Sequence, residues 1–273
     1  MGKVDGTALS GVPETALWTL RNRAVEAARS DSTYDDPQAV AVYEAIDFPY
    51  EKFGKHSQNF ALRALTFDRV VRDFLERNPT GTVVALGEGL QTSFWRINHP
   101  AMHWISVDLP PLVALREKLL PADPRLTHVA ASALDRSWMR HAPIGSPVMV
   151  TAEGLFMYLP PADVLALIAD IAARFPGGQL LFDNISQAIS AKSLEGRAPV
   201  KGAEYTTPPM PFHLSIDEAR ALPERIPGIA SVVDVDVALG RGLWGAKAVR
   251  ALLSLPRIRN RRPSITLLEF AAD

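Results

Sequence analysis

The chain has 273 residues, of which 47% are hydrophobic and 22% are charged, values typical of a globular protein with one large core. A formal net charge of −1 gives no overall positive field for a polyanion, and the absence of cysteine excludes disulfides, thiolate metal sites and cysteine nucleophiles. No apolar run reaches membrane-spanning length, and the N-terminus lacks an apolar signal core. We therefore expect a cytoplasmic protein with no metal, no nucleic-acid partner and no membrane partner.

The first 80 residues carry the periodicity of helices. Helices are predicted over Thr15 to Arg29, after the capping pair Asp36-Pro37, and over Asn59 to Arg77. In the third helix Arg63 lies on the apolar stripe, so its guanidinium must either extend to solvent or meet an anion. Residues 1–80 are therefore predicted to form an N-terminal helical cap.

From Thr82 onward, strand and helix patterns alternate, which is typical of a sheet with helices on both faces. Two helices are predicted between the strands, over Leu112 to Leu120 and over Pro161 to Phe175. Seven strands are predicted, over residues 82–86, 103–107, 126–131, 147–152, 179–183, 231–239 and 264–270. The sequence thus predicts a single α/β domain over residues 1–273, with its core over 81–273.

A proline-containing insertion interrupts the alternation between the fifth and sixth strands, over Ser186 to Phe212. It carries Tyr205 and Met210, which together with Phe212 could line an apolar pocket. We predict a cap insertion; a proline-stiffened surface loop is the alternative.

A nucleotide-binding corner is predicted over Val83 to Asp108. A buried strand runs into Gly87-Glu88-Gly89, where the backbone can turn sharply, and the next strand ends at Asp108. A carboxylate at that exit can accept two hydrogen bonds from a ribose diol. The corner therefore favours an adenosine-type ligand.

The type of adenosine ligand depends on the loop. A dinucleotide fingerprint needs a third glycine, and Thr92 stands in its place. The carboxylate of Glu88 would repel a diphosphate and attract a cation. An NAD-dependent oxidoreductase is therefore the less favoured alternative.

Two further strand exits carry candidate ligand contacts, Ser132-Ala133-Leu134 and Glu153. Parallel strands share one carboxyl edge, so these residues are expected to lie beside Gly87 and Asp108. A helix cap is the alternative role for Glu153.

Four segments carry a resemblance to a known family: Arg63 to Asp68, Val83 to Thr92, Val107 to Pro110, and Thr151 to Pro160. They resemble the leucine carboxyl methyltransferase family and, more narrowly, its bacterial branch that includes the tetracenomycin-type polyketide O-methyltransferases. The similarity runs from about Ala61 to Asp183, and Ala152 to Leu159 is its most specific part.

The resemblance implies a class I, Rossmann-like methyltransferase that uses S-adenosyl-L-methionine, with a mostly parallel sheet whose last strand is antiparallel. It implies these cofactor contacts: Arg63 with the methionyl carboxylate, Gly87 with the amine, Asp108 with the ribose, Leu134 with adenine and Glu153 with the methionyl end. Neighbouring Glu88, Gly89, Leu109, Ser132 and Ala133 complete the expected site.

This chain departs from the family pattern at Gln91 and Ser93, where Asp and Arg are frequent, and at Ser132, where Asp is frequent. A more weakly held cofactor, or a relative that binds the cofactor without catalysing, is the alternative that these departures leave open.

Methyl transfer from a sulfonium is an in-line displacement that needs an aligned acceptor oxygen. A carboxylate is already ionised at neutral pH, whereas a phenol benefits from a base. His213, beside the predicted cap, is the candidate base, although a lone histidine is commonly structural. Tyr158 is predicted to border the acceptor pocket or to pack in the core.

The C-terminal arginines, from Arg250 to Arg262, could indicate RNA, since the wider family includes a tRNA-modifying carboxyl methyltransferase. A solvated helix end is the simpler interpretation, because aromatic residues for base stacking are absent. We predict an O-methyltransferase that acts on a small-molecule hydroxyl or carboxylate of polyketide type. A protein- or RNA-linked carboxyl methyltransferase is the alternative.

Overall fold

The computed structural model describes residues 2–143, 145–197, 203–245 and 255–272. The N-terminal part contains β1 (Val4–Asp5), α1 (Thr15–Ala27), α2 (Pro37–Ala45), β2 (Ile46–Asp47) and α3 (Asn59–Arg77). Within the described ranges, no helix is both long and apolar enough to cross a membrane.

The rest of the chain builds one sheet and its covering helices. Its strands are β3 (Thr82–Leu86), β4 (His103–Asp108), β5 (Leu126–Ala130), β6 (Val148–Ala152), β7 (Gln179–Asn184), β8 (Ile229–Asp234) and β9 (Ser264–Phe270). Its helices are α4 (Ser93–Ile97), α5 (Pro110–Leu119), α6 (Pro161–Arg174), α7 (Gln187–Leu194), α8 (Ile216–Arg220), α9 (Leu222–Arg225) and α10 (Pro256–Arg259).

The seven strands lie in the order β5-β4-β3-β6-β7-β9-β8. Strands β3 to β7 pair in parallel, whereas β9 is antiparallel to both β7 and β8. The predicted sheet, including its antiparallel last strand, is therefore confirmed.

The sixth predicted strand ends earlier than expected. Strand β8 stops at Asp234 instead of Leu239, because the chain leaves the sheet and runs to α3, where the Ala238 amide donates to the Thr66 hydroxyl at 2.9 Å. The two-residue pair β1 and β2 is too short to give a periodic signal, and the sequence did not predict it.

The sheet is buried on both faces, as a parallel sheet between helices must be. Successive residues of β6 point to opposite sides: Val148 and Val150 join a cluster with α6, while Met149 joins a cluster with α3. A third cluster packs α1 and α2 against Leu90 and α5. The N-terminal helices are therefore held against the loop that follows β3.

The predicted cap insertion begins with α7 and continues to Phe212; residues 198–202, which include Pro199, lie outside the described ranges. Its Tyr205 ring packs 5.7 Å from Trp18 and 4.8 Å from Phe53, measured between ring centroids. The insertion thus covers the N-terminal helices.

Candidate cofactor and active site

A cavity of about 280 Å³ opens at the carboxyl ends of β3, β4 and β6. Most of the sequence-predicted site residues line it: Arg63, Gly87, Glu88, Gly89, Asp108, Leu109, Ser132, Ala133, Glu153 and Tyr158. Two others, Leu134 and His213, are not among the lining residues. Residues that follow different strands, far apart in sequence, therefore meet at one cavity, as the sequence predicts.

The glycine corner turns through left-handed backbone, with φ of +59° at Gly87 and +54° at Gly89. The two oxygens of Asp108 accept the amide hydrogens of Gly89 at 2.5 Å and Leu109 at 2.7 Å. Burial raises the pKa of Asp108, and these backbone hydrogen bonds oppose the rise. Asp108 therefore fixes the loop and also faces the cavity.

We expect Gly87→Ala to destabilise the fold and to weaken cofactor binding. The left-handed φ alone costs roughly 1–2 kcal/mol for a residue with a Cβ, and a Cβ at Gly87 would lie 2.7 Å from Leu155 Cδ1. Gly196→Ala is the matched control, because Gly196 has φ of +68° with nothing within 4 Å of the added Cβ. Equal losses of melting temperature in the two variants would show that the Leu155 contact is unimportant.

Arg63 joins two carboxylates on neighbouring strands. Its Nε donates to Glu153 Oε1 and its Nη1 to Asp183 Oδ2, each at 2.9 Å. Burial alone would lower the pKa of Arg63, but the two carboxylates raise it overall. The anion expected for this arginine is thus supplied by the protein, while its Nη2, next to Gly154, makes no hydrogen bond within the described ranges.

Asp183 and Gln91 are site residues that the sequence reasoning missed. Asp183 Oδ1 accepts the Gly154 amide at 2.6 Å, which ties β7 to the loop after β6. Gln91 donates from Nε2 to Glu153 Oε2 at 2.9 Å. Asp183 ends a parallel strand, so the rule that found Glu153 could also have found it.

Glu88 does not face a ligand in the way that the sequence predicts. Its carboxylate is turned into the protein, 2.9 Å from Arg116 and 3.1 Å from the indole nitrogen of Trp104. Burial raises the pKa of Glu88, and Arg116 opposes the rise. The charge of Glu88 is therefore matched by Arg116, so it does not supply the predicted attraction for a bound cation.

Leu134, which was predicted to contact adenine, is not among the residues that line the cavity. Leu134 packs against the main core. Its neighbours Ser132 and Ala133 line the cavity instead, opposite Leu109, which stays 39% exposed. An adenine ring would therefore meet Leu109, Ser132 and Ala133.

His213, the predicted catalytic base, is not among the residues that line the cavity. Its neighbours Phe212 and Leu214 are buried in the main core, whereas His213 itself is half-buried. It acts electrostatically on Glu218 and helps to lower the pKa of that residue, after the larger effect of hydrogen bonding by Ser215.

The N-terminal cap closes the remaining side of the cavity. Val12, Pro13, Thr15, Ala16 and Thr19 line it, whereas no described residue of the insertion does. Tyr158 lies on the same side. Burial is the main reason that its pKa is raised to about 12, and a hydrogen bond with the Thr15 side chain opposes part of that rise. This side of the cavity is thus built by α1 and the residues just before it, which the sequence did not predict to contribute to a site.

The order of the sheet and the position of the cavity define a class I methyltransferase fold. The model of the leucine carboxyl methyltransferase family matches residues 16–172, more than half of the chain. The chain belongs to the leucine carboxyl methyltransferase family, as its motifs predict.

Two curated relatives have similar sequences. The tetracenomycin polyketide synthesis O-methyltransferase TcmP of Streptomyces glaucescens is 29% identical over 181 residues, which cover 65% of this chain and 67% of the relative. The S-adenosyl-L-methionine-dependent methyltransferase dpfgK of Gibberella zeae is 27% identical over 254 residues, or 84% and 82% of the two chains.

Among solved structures, an O-methyltransferase family protein from Burkholderia thailandensis matches 95% of this chain and 70% of its own, with 15% identity and a TM-score of 0.45. The family and the curated relatives show that this chain is an S-adenosyl-L-methionine-dependent methyltransferase. The alternative of an NAD-dependent oxidoreductase is set aside.

Proposed function

We propose that this methyltransferase transfers a methyl group to the oxygen of a small molecule, a hydroxyl or a carboxylate of polyketide type. One observation carries the proposal: the segment before α1 and its first turn cover the cavity, so that Val12, Pro13 and Ala16 line it together with Tyr158 and Leu159 and give it a mainly apolar wall. Such a space suits a compact apolar acceptor more than the surface of a macromolecule. Similarity to the polyketide O-methyltransferase TcmP supports the same class.

The residues of the cavity fit the cofactor. Asp108 takes part in no salt bridge among the described residues and is bonded by backbone amides, so its oxygens retain acceptor capacity for a ribose diol. Arg63 Nη2 can bind the methionyl carboxylate, and Glu153 lies on the same wall. When bound, S-adenosyl-L-methionine supplies an electrophilic methyl group.

In this proposal the protein mainly binds, aligns and excludes water. Arg63, Asp108 and Glu153 fix the cofactor, while the residues of α1 hold the acceptor in line with it. None of the histidines within the described ranges lines the cavity. A carboxylate acceptor needs no base, whereas a hydroxyl acceptor gives up its proton to solvent when its oxygen is methylated. Tyr158, whose pKa is raised to about 12, stays protonated and orients the acceptor oxygen as a hydrogen-bond donor.

The RNA alternative finds no support in the described part of the C-terminus. Arg259 pairs with Asp217 and Arg262 pairs with Asp234, both at 2.6 Å. Arg250 lies outside the described ranges. These ion pairs leave less positive charge for phosphates.

The test is methyl transfer by the purified protein from labelled cofactor to matched pairs of aromatic phenols and carboxylic acids. We expect label in at least one small apolar acceptor, and loss of labelling when Asp108→Asn is used as the control. Labelling of tRNA or of peptide C-termini, with none of the small acceptors, would contradict the proposal.

For Tyr158→Phe we expect a modest fall in kcat, about 2–13-fold, which corresponds to the loss of one neutral hydrogen bond of about 0.5–1.5 kcal/mol. The pH dependence of the rate should stay unchanged below about pH 10, because the phenol is protonated throughout that range. His213→Ala is the control and should retain the wild-type rate. A shift of the pH profile towards higher pH in the Phe variant would show that Tyr158 acts as a base.

A further inference from the structure

Gln91 lies between two charged groups of side chains at the edge of the cavity. It is 9% exposed and lines the cavity wall next to Glu153. On one side stand the guanidinium groups of Arg23 and Arg96, and on the other side stands the ion pair of Arg63 with Glu153. Any side chain at this position must therefore satisfy cations and a carboxylate together.

The side-chain amide of Gln91 satisfies the cations through its oxygen and the carboxylate through its nitrogen. Oε1 accepts hydrogen bonds from Arg23 at 2.9 Å, from Arg96 at 3.0 Å and from the Thr92 amide at 2.9 Å. Nε2 donates to Glu153 Oε2 at 2.9 Å. These partners fix the amide orientation, because a flipped amide would point its NH₂ at two arginines and its oxygen at a carboxylate.

Glu153 is consequently held through both oxygens, Oε1 by Arg63 and Oε2 by Gln91. A carboxylate held at one oxygen can still rotate, whereas one held at both keeps its plane. We propose that Gln91 is a positioning residue that orients Glu153 towards the methionyl end of the cofactor. The inference rests on the proposed role of Glu153 and makes no assumption about the methyl acceptor.

A carboxylate at position 91 could not perform this role. It could still accept hydrogen bonds from Arg23 and Arg96, but it has no hydrogen to donate to Glu153 when ionised. Two carboxylates this close repel each other, which raises the pKa of one of them and favours a shared proton at low pH, while Arg23, Arg63 and Arg96 oppose part of that rise. The amide of Gln91 therefore suits this site, and its departure from the family pattern serves a defined contact.

The test is Gln91→Glu, which keeps the shape and length of the side chain. Affinity for S-adenosylhomocysteine is measured by calorimetry at about pH 5.5 and about pH 8.5, on either side of the raised pKa expected for a carboxylate pair. The charged and titratable groups around the pair are Arg23, Asp36, Arg63, Asp68, Arg96, Arg116, Tyr158 and Asp183.

At the higher pH we expect affinity to fall about tenfold or more relative to wild type, the factor for loss of one hydrogen bond to a charged group. At the lower pH a shared proton restores the hydrogen bond between the two side chains, so most of the affinity should return. The matched control is Gln179→Glu, because Gln179 Nε2 donates to Glu269 Oε1 at 3.0 Å at the opposite end of β7. It creates the same kind of pair and should leave affinity unchanged at both pH values.

Equal affinity of Gln91→Glu and wild type at both pH values would overturn the inference, as would a loss that does not depend on pH. Glu153→Gln tests the assumed role of Glu153 separately from the role of Gln91. Wild-type affinity in that variant removes the assumed role of Glu153 and the inference together, whereas the acceptor assay tests the proposed function independently.

Discussion

Replacing Arg63 by alanine is expected to lower the free energy of unfolding by about 3–5 kcal/mol, the usual cost of removing one partner from a buried ion pair. The reason is that Glu153 and Asp183, whose side chains are 12% and 9% exposed, would lose their shared cation. Chemical denaturation followed by circular dichroism measures the change.

The control for this effect is Arg77→Ala, in the last turn of the same helix, where the side chain is exposed and bonds only a backbone oxygen. It should cost well under 1 kcal/mol. Wild-type stability of Arg63→Ala would mean that its carboxylate partners are adequately solvated without it. Arg63→Lys keeps the charge but loses the two-ended geometry, so it allows cofactor affinity to be measured in a protein that is better folded.

Replacing Asp108 by alanine is expected to weaken the binding of S-adenosylhomocysteine by about 1.5–3 kcal/mol, or about 10–150-fold, through loss of hydrogen bonds between the ribose and a charged group. Calorimetric titration gives the dissociation constant directly. Asp73→Ala, on the exposed face of α3, is the control and should bind as wild type does.

The same substitution also removes the acceptor of the Gly89 and Leu109 amides. Part of the lost affinity would then come from a looser glycine corner. Asp108→Asn keeps the side-chain shape but replaces one of the two accepting oxygens by an NH₂ group, so its affinity should fall between those of wild type and Asp108→Ala. Unchanged affinity in both variants would refute the ribose contact.

The sheet and the site edge were predictable because both rest on local patterns. Each strand is a short apolar run, and the carboxyl ends of parallel strands meet by geometry, which is why Gly87, Asp108 and Glu153 were found without any contact information. The family motifs added Arg63. These predictions require only that neighbouring strands pair in parallel.

The direction of individual side chains was not predictable from local patterns. Glu88 turns towards Arg116, and neither Leu134 nor His213 lines the cavity, because packing partners distant in sequence decide where each side chain lies. Gln91 stands out in the sequence only as a departure from the family pattern. Its function depends on Arg23, 68 residues earlier, and Glu153, 62 residues later.

The hydrogen bonds of Arg63 also bear on the order in which the protein is assembled during synthesis. They join residues that lie 90 and 120 positions apart, so α3 leaves the ribosome long before its partner strands exist. The wall of the cavity can form only after Asp183 has emerged and β7 has docked. Since a ligand stabilises only the state that binds it, the cofactor can protect finished chains from degradation, but it gives no protection to nascent ones.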